Sequence, residues 1–216
     1  MPDLESWLTR IWYGGSKPPL TLRAIERLYS AATRYQPAIS TDSLPVPVIV
    51  VGNFTVGGTG KTPLIIALVN ELIALGYKPG VISRGYGRES NATQSVTSGS
   101  SIRVSGDEPL LIAKRTGAPV RVDAKRHRAA VFLIKHGCNV IISDDGLQHR
   151  ALPRQIEIEV FDSVRRYGNG RLLPAGPLRE AVRRVDMRVG NGLSSDTDDA
   201  YAMQLQMTQC YHLKSG

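Results

Sequence analysis

The chain has 216 residues, 42% hydrophobic and 21% charged, with a formal net charge of +8. That length can bury a sizeable core, and the composition excludes a disordered, collagen-like or disulfide-scaffolded chain. The positive charge is concentrated in 114–128 and 165–188, which suits an anionic partner: nucleotide, nucleic acid, phosphorylated small molecule or acidic lipid surface.

In chain order, Leu4, Trp7, Leu8, Ile11 and Trp12 recur at helical spacing and form one apolar stripe. Either the protein's own core or a membrane interface can cover such a stripe, and the weakly basic polar face favours the core. A second helix is expected from Leu22 to Tyr35, followed by a linker over 37–47. At Val48 the pattern changes to a short β-branched run, Val48 to Val51, of the kind buried on both faces of a parallel sheet. A helix from Pro63 to Leu75, closed by Gly76, follows a glycine-rich loop. Short strands at Val81–Ser83, Val120–Val122 and Val140–Ser143 alternate with helices near Glu108–Arg115 and Lys125–His136, which is the βαβ pattern of a parallel sheet. Asn91–Ser101 reads as a polar insertion and Ile156–Phe161 as a further strand. Arg165–Arg184 reads as a Gly-, Pro- and Arg-rich connection, and the alternation of Met203, Leu205 and Met207 as a half-exposed strand. The two cysteines, Cys138 and Cys210, have neither metal-ligand nor disulfide spacing, and Cys138 reads as a buried thiol in a reducing compartment. No apolar run reaches the length of a spanning helix, and the acidic start, Asp3 and Glu5, does not read as a secretory signal.

The loop Thr55-Val56-Gly57-Gly58-Thr59-Gly60-Lys61-Thr62 fits the P-loop pattern G-x-x-x-x-G-K-[ST], with Thr55 in place of the first glycine. A tight turn between strand and helix aims successive backbone N–H groups at a phosphate, and the helix N-terminus adds its positive dipole end. Lys61 is expected to reach the β- and γ-phosphates and the Thr62 hydroxyl to bind Mg²⁺. Val140–Ser143 ends in Asp144 and Asp145, a Walker B arrangement whose acids converge on that metal. Spacing alone does not choose between the two aspartates. N-K-x-D and D-x-x-G guanine elements are lacking, so ATP is the expected nucleotide. A nucleotide-hydrolysing switch or assembly factor is the alternative that generic P-loop residues permit. Nucleic-acid binding has only the net charge behind it, because an RNP, zinc-finger or helix-turn-helix pattern is lacking. A stable protein partner is not expected.

The extended run Val51-Gly52-Asn53-Phe54-Thr55-Val56-Gly57-Gly58-Thr59-Gly60-Lys61-Thr62-Pro63 resembles the signature of the tetraacyldisaccharide 4'-kinase family, which acts in lipid A biosynthesis. Ser83-Arg84-Gly85-Tyr86-Gly87-Arg88, Gly106-Asp107-Glu108-Pro109 and Asp144-Asp145-Gly146-Leu147-Gln148-His149 follow in the family's order. The series closes with Gly168-Asn169-Gly170-Arg171-Leu172-Leu173-Pro174-Ala175-Gly176-Pro177-Leu178-Arg179-Glu180. Thr55 is normal for that family.

The resemblance implies a three-layer α/β/α P-loop domain over 48–184 with a mostly parallel sheet. N-terminal helices over 1–36 precede it, and 185–216 are linker strands toward a smaller α/β domain that this sequence does not include. It implies transfer of the ATP γ-phosphate to the 4'-hydroxyl of a tetraacyldisaccharide 1-phosphate at the cytoplasmic face of the bacterial inner membrane. Asp107 is expected to orient or deprotonate that hydroxyl, assisted by a histidine of the further domain, although Asp107 also suits a helix N-cap. Arg179 is expected to engage phosphate and Glu180 to support Mg²⁺. Arg84 and Arg88 suit anion contacts, and Arg121, Lys125, Arg126 and Arg128 can approach the 1-phosphate. Asn53 and Gln148 are expected to organise loops. A lipid acceptor brings the active-site mouth to a bilayer, so the N-terminal stripe with Arg10 and Lys17 is expected to give salt-sensitive, peripheral association with anionic membranes.

Overall fold

The computed structural model of the chain describes residues 3–34, 43–89 and 92–206. Its centre is a sheet of eight strands: β1 (Val48–Gly52), β2 (Pro79–Ser83), β3 (Gln94–Val96), β4 (Val120–Val122), β5 (Val140–Asp144), β6 (Ile156–Asp162), β7 (Met187–Asn191) and β8 (Tyr201–Met203). The spatial order is β3-β4-β2-β5-β1-β6-β7-β8, and every neighbouring pair is parallel except β3 with β4.

Strand β1 shows why this sequence folds as layers. Its side chains alternate between faces, and all five residues are buried. Ile49 and Val51 pack with Ile65 and Val69 of α3 (Lys61–Ala74) and Leu110, Ile112 and Ala113 of α5 (Asp107–Thr116). Val48 and Val50 pack on the opposite side with Ala129, Ala130 and Leu133 of α6 (Arg126–Lys135). A helix layer thus covers each face of a mostly parallel sheet, the three-layer α/β/α architecture expected from the sequence. A short helix, α4 (Ile102–Ser105), precedes α5.

Two N-terminal helices, α1 (Leu4–Tyr13) and α2 (Leu20–Arg34), lie against the irregular segment that follows β6. Asn169 N donates to Trp12 O at 2.8 Å, Trp12 Nε1 donates to Pro174 O at 3.0 Å, and Glu26 accepts from Arg171 Nη2 at 2.7 Å. The apolar stripe of α1 is divided: Ile11 is buried, whereas Leu4 is 67% exposed and Trp7 only partly covered. On α2, Leu20 and Leu28 are 78% and 73% exposed. Tyr35, most of the 37–47 linker, Met207 and Cys210 lie outside the described residues.

The sheet is wider than the sequence pattern indicates. Within the polar insertion, Gln94–Val96 forms the antiparallel edge strand β3; Asn91 lies outside the described residues. The stretch read as linker strands supplies β7 and β8, which extend the sheet from β6. Leu205, expected within the last strand, lies beyond it and is exposed. These edge strands are short and interrupted by Ser95, Arg188 and Gly190, so they lack the β-branched runs that mark the central strands.

Candidate phosphate-binding site

The sheet order puts β5 beside β1, with Asp144 in register with Val51. The Walker acids therefore stand next to the loop that leaves β1, at the carboxyl edge of the sheet where open α/β folds bind ligands. Between β1 and α3 the chain turns through residues 53–60. Gly60 adopts φ +95°, and a Cβ there would stand 2.9 Å from both Asn191 Nδ2 and Met203 Cε. Side chains of β7 and β8 thus abut the P-loop at Gly60, and the left-handed φ there favours glycine.

The loop is braced from the other side by 171–180. Val56 N donates to Pro177 O at 2.9 Å, Arg179 N donates to Phe54 O at 2.8 Å, and Thr55 bridges to Leu178. Thr55 and Thr59 are buried, Val56 and Thr62 are half-buried, and Gly57 and Gly58 are exposed.

Lys61 opens α3 and is buried at 8% exposure. Its Nζ donates to Asn53 Oδ1 at 3.3 Å and lies 3.6 Å from Asp145 Oδ1. Arg179 Nη1 lies 3.0 and 2.9 Å from the two Asp145 oxygens and 2.9 Å from Gln148 Oε1. Gln148 Nε2 in turn donates to Asn53 O at 2.9 Å and to Glu180 Oε1 at 3.0 Å. Arg150 holds the other Glu180 oxygen at 3.3 Å. Arg126 is buried at the start of α6 and donates to Asp145 O at 2.8 Å. Lys61, Asp145, Arg126, Arg179 and Glu180, candidates from separate stretches of sequence, are brought into one network, and Asp144 lies close enough to feel the charges of Lys61, Arg126 and Asp145. Asn53 and Gln148 serve it as the loop organisers expected.

The two aspartates have different environments. Asp144 Oδ2 accepts from Ser83 Oγ at 2.9 Å, whereas Oδ1 is buried without a hydrogen-bond partner among the described residues. Burial and the neighbouring Asp145 charge push the Asp144 carboxyl above its ordinary range, against the Ser83 hydrogen bond and nearby cations. For Asp145, burial also acts upward, but Lys61 and Arg179 outweigh it and hold the carboxyl down. An orphaned buried carboxylate oxygen with a raised proton affinity fits a site built for a cation. Among the described residues no cluster of three or more His, Cys, Asp or Glu side chains forms a complete metal cage.

Asp107 is the first residue of α5 and is exposed; Gly106, not Asp107, occupies the N-cap position. Among the described residues, the Asp107 carboxylate accepts only from Glu108 N, at 2.9 Å. Glu108 was not singled out by sequence, although it adjoins Asp107. It is half-buried, and burial followed by the charge of Asp144 raises its carboxyl, with Lys61 opposing and Asp107 and Asp145 adding to the rise. Ser83, through its bond to Asp144, was likewise missed as a site residue.

The basic candidates divide. Arg84 is exposed after β2, close enough for its charge to act on Arg126 and His149. Arg88 is engaged within its own segment, donating to Ala92 O. Arg121 is drawn away from the Asp145 network: it donates to Ser95 Oγ at 2.8 Å and lies 3.5 Å over the Phe132 ring. Arg128 donates to the buried Asp123 at 2.7 and 2.9 Å, and Lys125 is exposed at the N-cap of α6.

Among the described residues no helix is long and apolar enough to cross a membrane. The sequence profile for tetraacyldisaccharide-1-P 4'-kinase matches residues 20–215. The tetraacyldisaccharide 4'-kinase of Stenotrophomonas maltophilia is 53% identical over 199 residues, covering 88% of this chain and 59% of that protein. Its counterpart in Xanthomonas oryzae pv. oryzae is 51% identical over 214 residues, covering 91% and 62%. Among solved structures, the LpxK of Aquifex aeolicus in complex with ATP superposes with a TM-score of 0.72 at 31% identity, covering 86% of this chain and 64% of that one. The chain thus spans about three fifths of the length of these relatives. With the profile match extending over nearly all of its length, the chain belongs to the tetraacyldisaccharide-1-P 4'-kinase family.

Proposed function

We propose that the protein phosphorylates the 4'-hydroxyl of a tetraacyldisaccharide 1-phosphate with ATP and Mg²⁺, as a peripheral enzyme at the cytoplasmic face of the inner membrane. The observation that carries this reading is the network in which Lys61, Asp145 and Arg179 meet at the mouth of the P-loop. Phosphoryl transfer requires a protein mainly to align donor and acceptor and to compensate charge. In this reading Lys61 leaves Asp145 for the β- and γ-phosphates. Arg179 stabilises charge on the transferred group, and the loop N–H groups of 57–62 hold the phosphates. Mg²⁺ supplies charge neutralisation between the phosphates; Thr62 and Asp144 would hold it, with Glu180 as support. Magnesium is commonly held by one or two carboxylates together with phosphate oxygens, so a protein-only cage is not required. Asp107, exposed at the start of α5, orients the sugar hydroxyl and takes its proton.

The lipid acceptor accords with the exposed apolar side chains on α1 and α2, including Leu4, Leu20, Ile25 and Leu28. Arg84, Arg88, Lys125 and Arg126 are proposed to contact the anionic headgroup. In a transfer assay with labelled ATP and tetraacyldisaccharide 1-phosphate, Lys61→Ala is expected to reduce turnover by a factor of at least ~10². Undiminished transfer by that variant removes Lys61 from the mechanism, and absence of transfer by the unaltered protein removes the assigned activity.

A further inference from the structure

Arg154 belongs to none of the motifs that define the site, yet all three of its guanidinium nitrogens are engaged. The side chain is 2% exposed. Its Nε donates to Leu152 O at 3.0 Å, Nη1 to Gly146 O at 3.2 Å and Leu147 O at 3.4 Å, and Nη2 to His149 O. Nη1 also pairs with Glu157 Oε1 at 3.0 Å. Glu157 is itself held by Arg183, whose Nη2 lies 2.7 Å from Oε1, and by its own backbone N–H, which donates to Asp186. One guanidinium therefore collects four carbonyls from a turn of seven residues, 146–152.

That turn carries Gln148, the side chain joining Asn53, Arg179 and Glu180. A buried cation is costly unless all its donors are satisfied, and packing alone is served at lower cost by an apolar side chain of similar volume. A lysine in the same place has a point charge and three donors, without the planar fork that matches spread carbonyls. We propose that Arg154 is a positioning residue, shaping the 146–152 turn so that Gln148 holds Arg179 and Glu180 against the P-loop.

The inference rests on the proposed kinase activity for its catalytic consequence but not for its structural one, so two measurements separate them. Hydrogen exchange on the full chain is expected to show residues 146–152 exchanging at least ~10-fold faster in Arg154→Lys, with β1 and β5 unchanged. In the lipid kinase assay, Arg154→Lys and Gln148→Ala are each expected to lower kcat about 10-fold or more. The double variant should be no slower than the slower single one, because both changes release the same pair of side chains. If Arg154→Lys does not fold, Glu157→Gln loosens the same guanidinium and is expected to raise exchange in the same turn. Unchanged exchange in 146–152, or uniform opening of the whole sheet, overturns the assignment. So does a double variant whose loss is the product of the single losses. If the unaltered protein has no lipid kinase activity, that result falls on the proposed function, and the exchange measurement alone decides the role of Arg154.

Discussion

Arg179 Nη1 reaches both oxygens of Asp145, at 2.9 and 3.0 Å, through one nitrogen instead of a two-nitrogen fork. The same nitrogen contacts Gln148 Oε1, and Lys61 Nζ lies 3.6 Å from Asp145 Oδ1. Asp145 thus holds two cations of the proposed phosphate site, and their charge keeps it ionised despite its burial. Arg179→Lys preserves the charge but shortens the reach and removes the planar group. Its kcat is expected to fall by ~10²-fold with the KM for ATP changed by less than ~5-fold, as for loss of a group that acts mainly in the transition state. Steady-state kinetics with varied ATP decide the point; a rise in KM alone would make Arg179 a ground-state binding residue.

His149 follows Gln148 in the turn. Burial first, then the charges of Arg126, Arg154 and Arg84, lower its pKa from 6.5 to about 4. The folded state therefore binds a proton less readily than the unfolded state. Between pH ~6.5 and ~4 the unfolded chain gains a proton that the native one resists, so stability falls as pH falls through that window. Above it the histidine is neutral in both states and contributes nothing to the pH dependence. Partial exposure screens the interaction, so the expected loss is on the order of 1–2 kcal/mol. Thermal unfolding from pH 7 to 4 should show a shallower decline for His149→Gln than for the unaltered protein. Parallel curves refute the assignment.

The central sheet was legible because β1 and β5 are continuous β-branched runs that need no partner to identify them, whereas β3 and β7 become strands only beside β4 and β6. The P-loop and Walker acids were legible for a related reason: their spacing is local. Glu108, Ser83 and Arg154 were not, since each acts on a residue distant in sequence or on backbone carbonyls. Arg121 shows the converse, a residue whose contacts its neighbours in sequence do not indicate. It shares a basic stretch with Arg126, but strand alternation turns it toward Ser95 and Phe132.

Leu20 and Leu28 project from α2 almost fully into solvent, while Tyr29 of the same helix donates its hydroxyl to Arg179 O at 2.7 Å. One face of α2 is therefore fixed to the site and another is free to meet a bilayer. Full burial of a leucine side chain contributes roughly 1.5–3 kcal/mol. Leu20→Ser with Leu28→Ser is expected to lower partitioning onto anionic vesicles by at least ~10-fold, and added salt should weaken binding of the unaltered protein. Vesicle sedimentation measures both; unchanged partitioning would exclude this face from the proposed membrane contact.

Gly58 and Gly60 allow the geometry of the P-loop to be tested without touching a charged group. At Gly60 the left-handed φ costs a side-chain-bearing residue about 1–2 kcal/mol. A Cβ there also meets the side-chain ends of Asn191 and Met203 at 2.9 Å, and these must shift. At Gly58 a Cβ meets nothing within 4 Å and points into the open loop, where the proposed phosphates approach the backbone. Gly60→Ala is therefore expected to lower the melting temperature by several degrees and to weaken ATP binding together with it. Gly58→Ala is expected to leave the melting temperature within about one degree but to weaken ATP binding at least ~10-fold by blocking close approach of the phosphates. Calorimetric ATP titration and thermal unfolding on both variants separate the two effects. Undiminished ATP affinity in Gly58→Ala would mean that the phosphates do not lie over this loop, even if Gly60→Ala proved unstable.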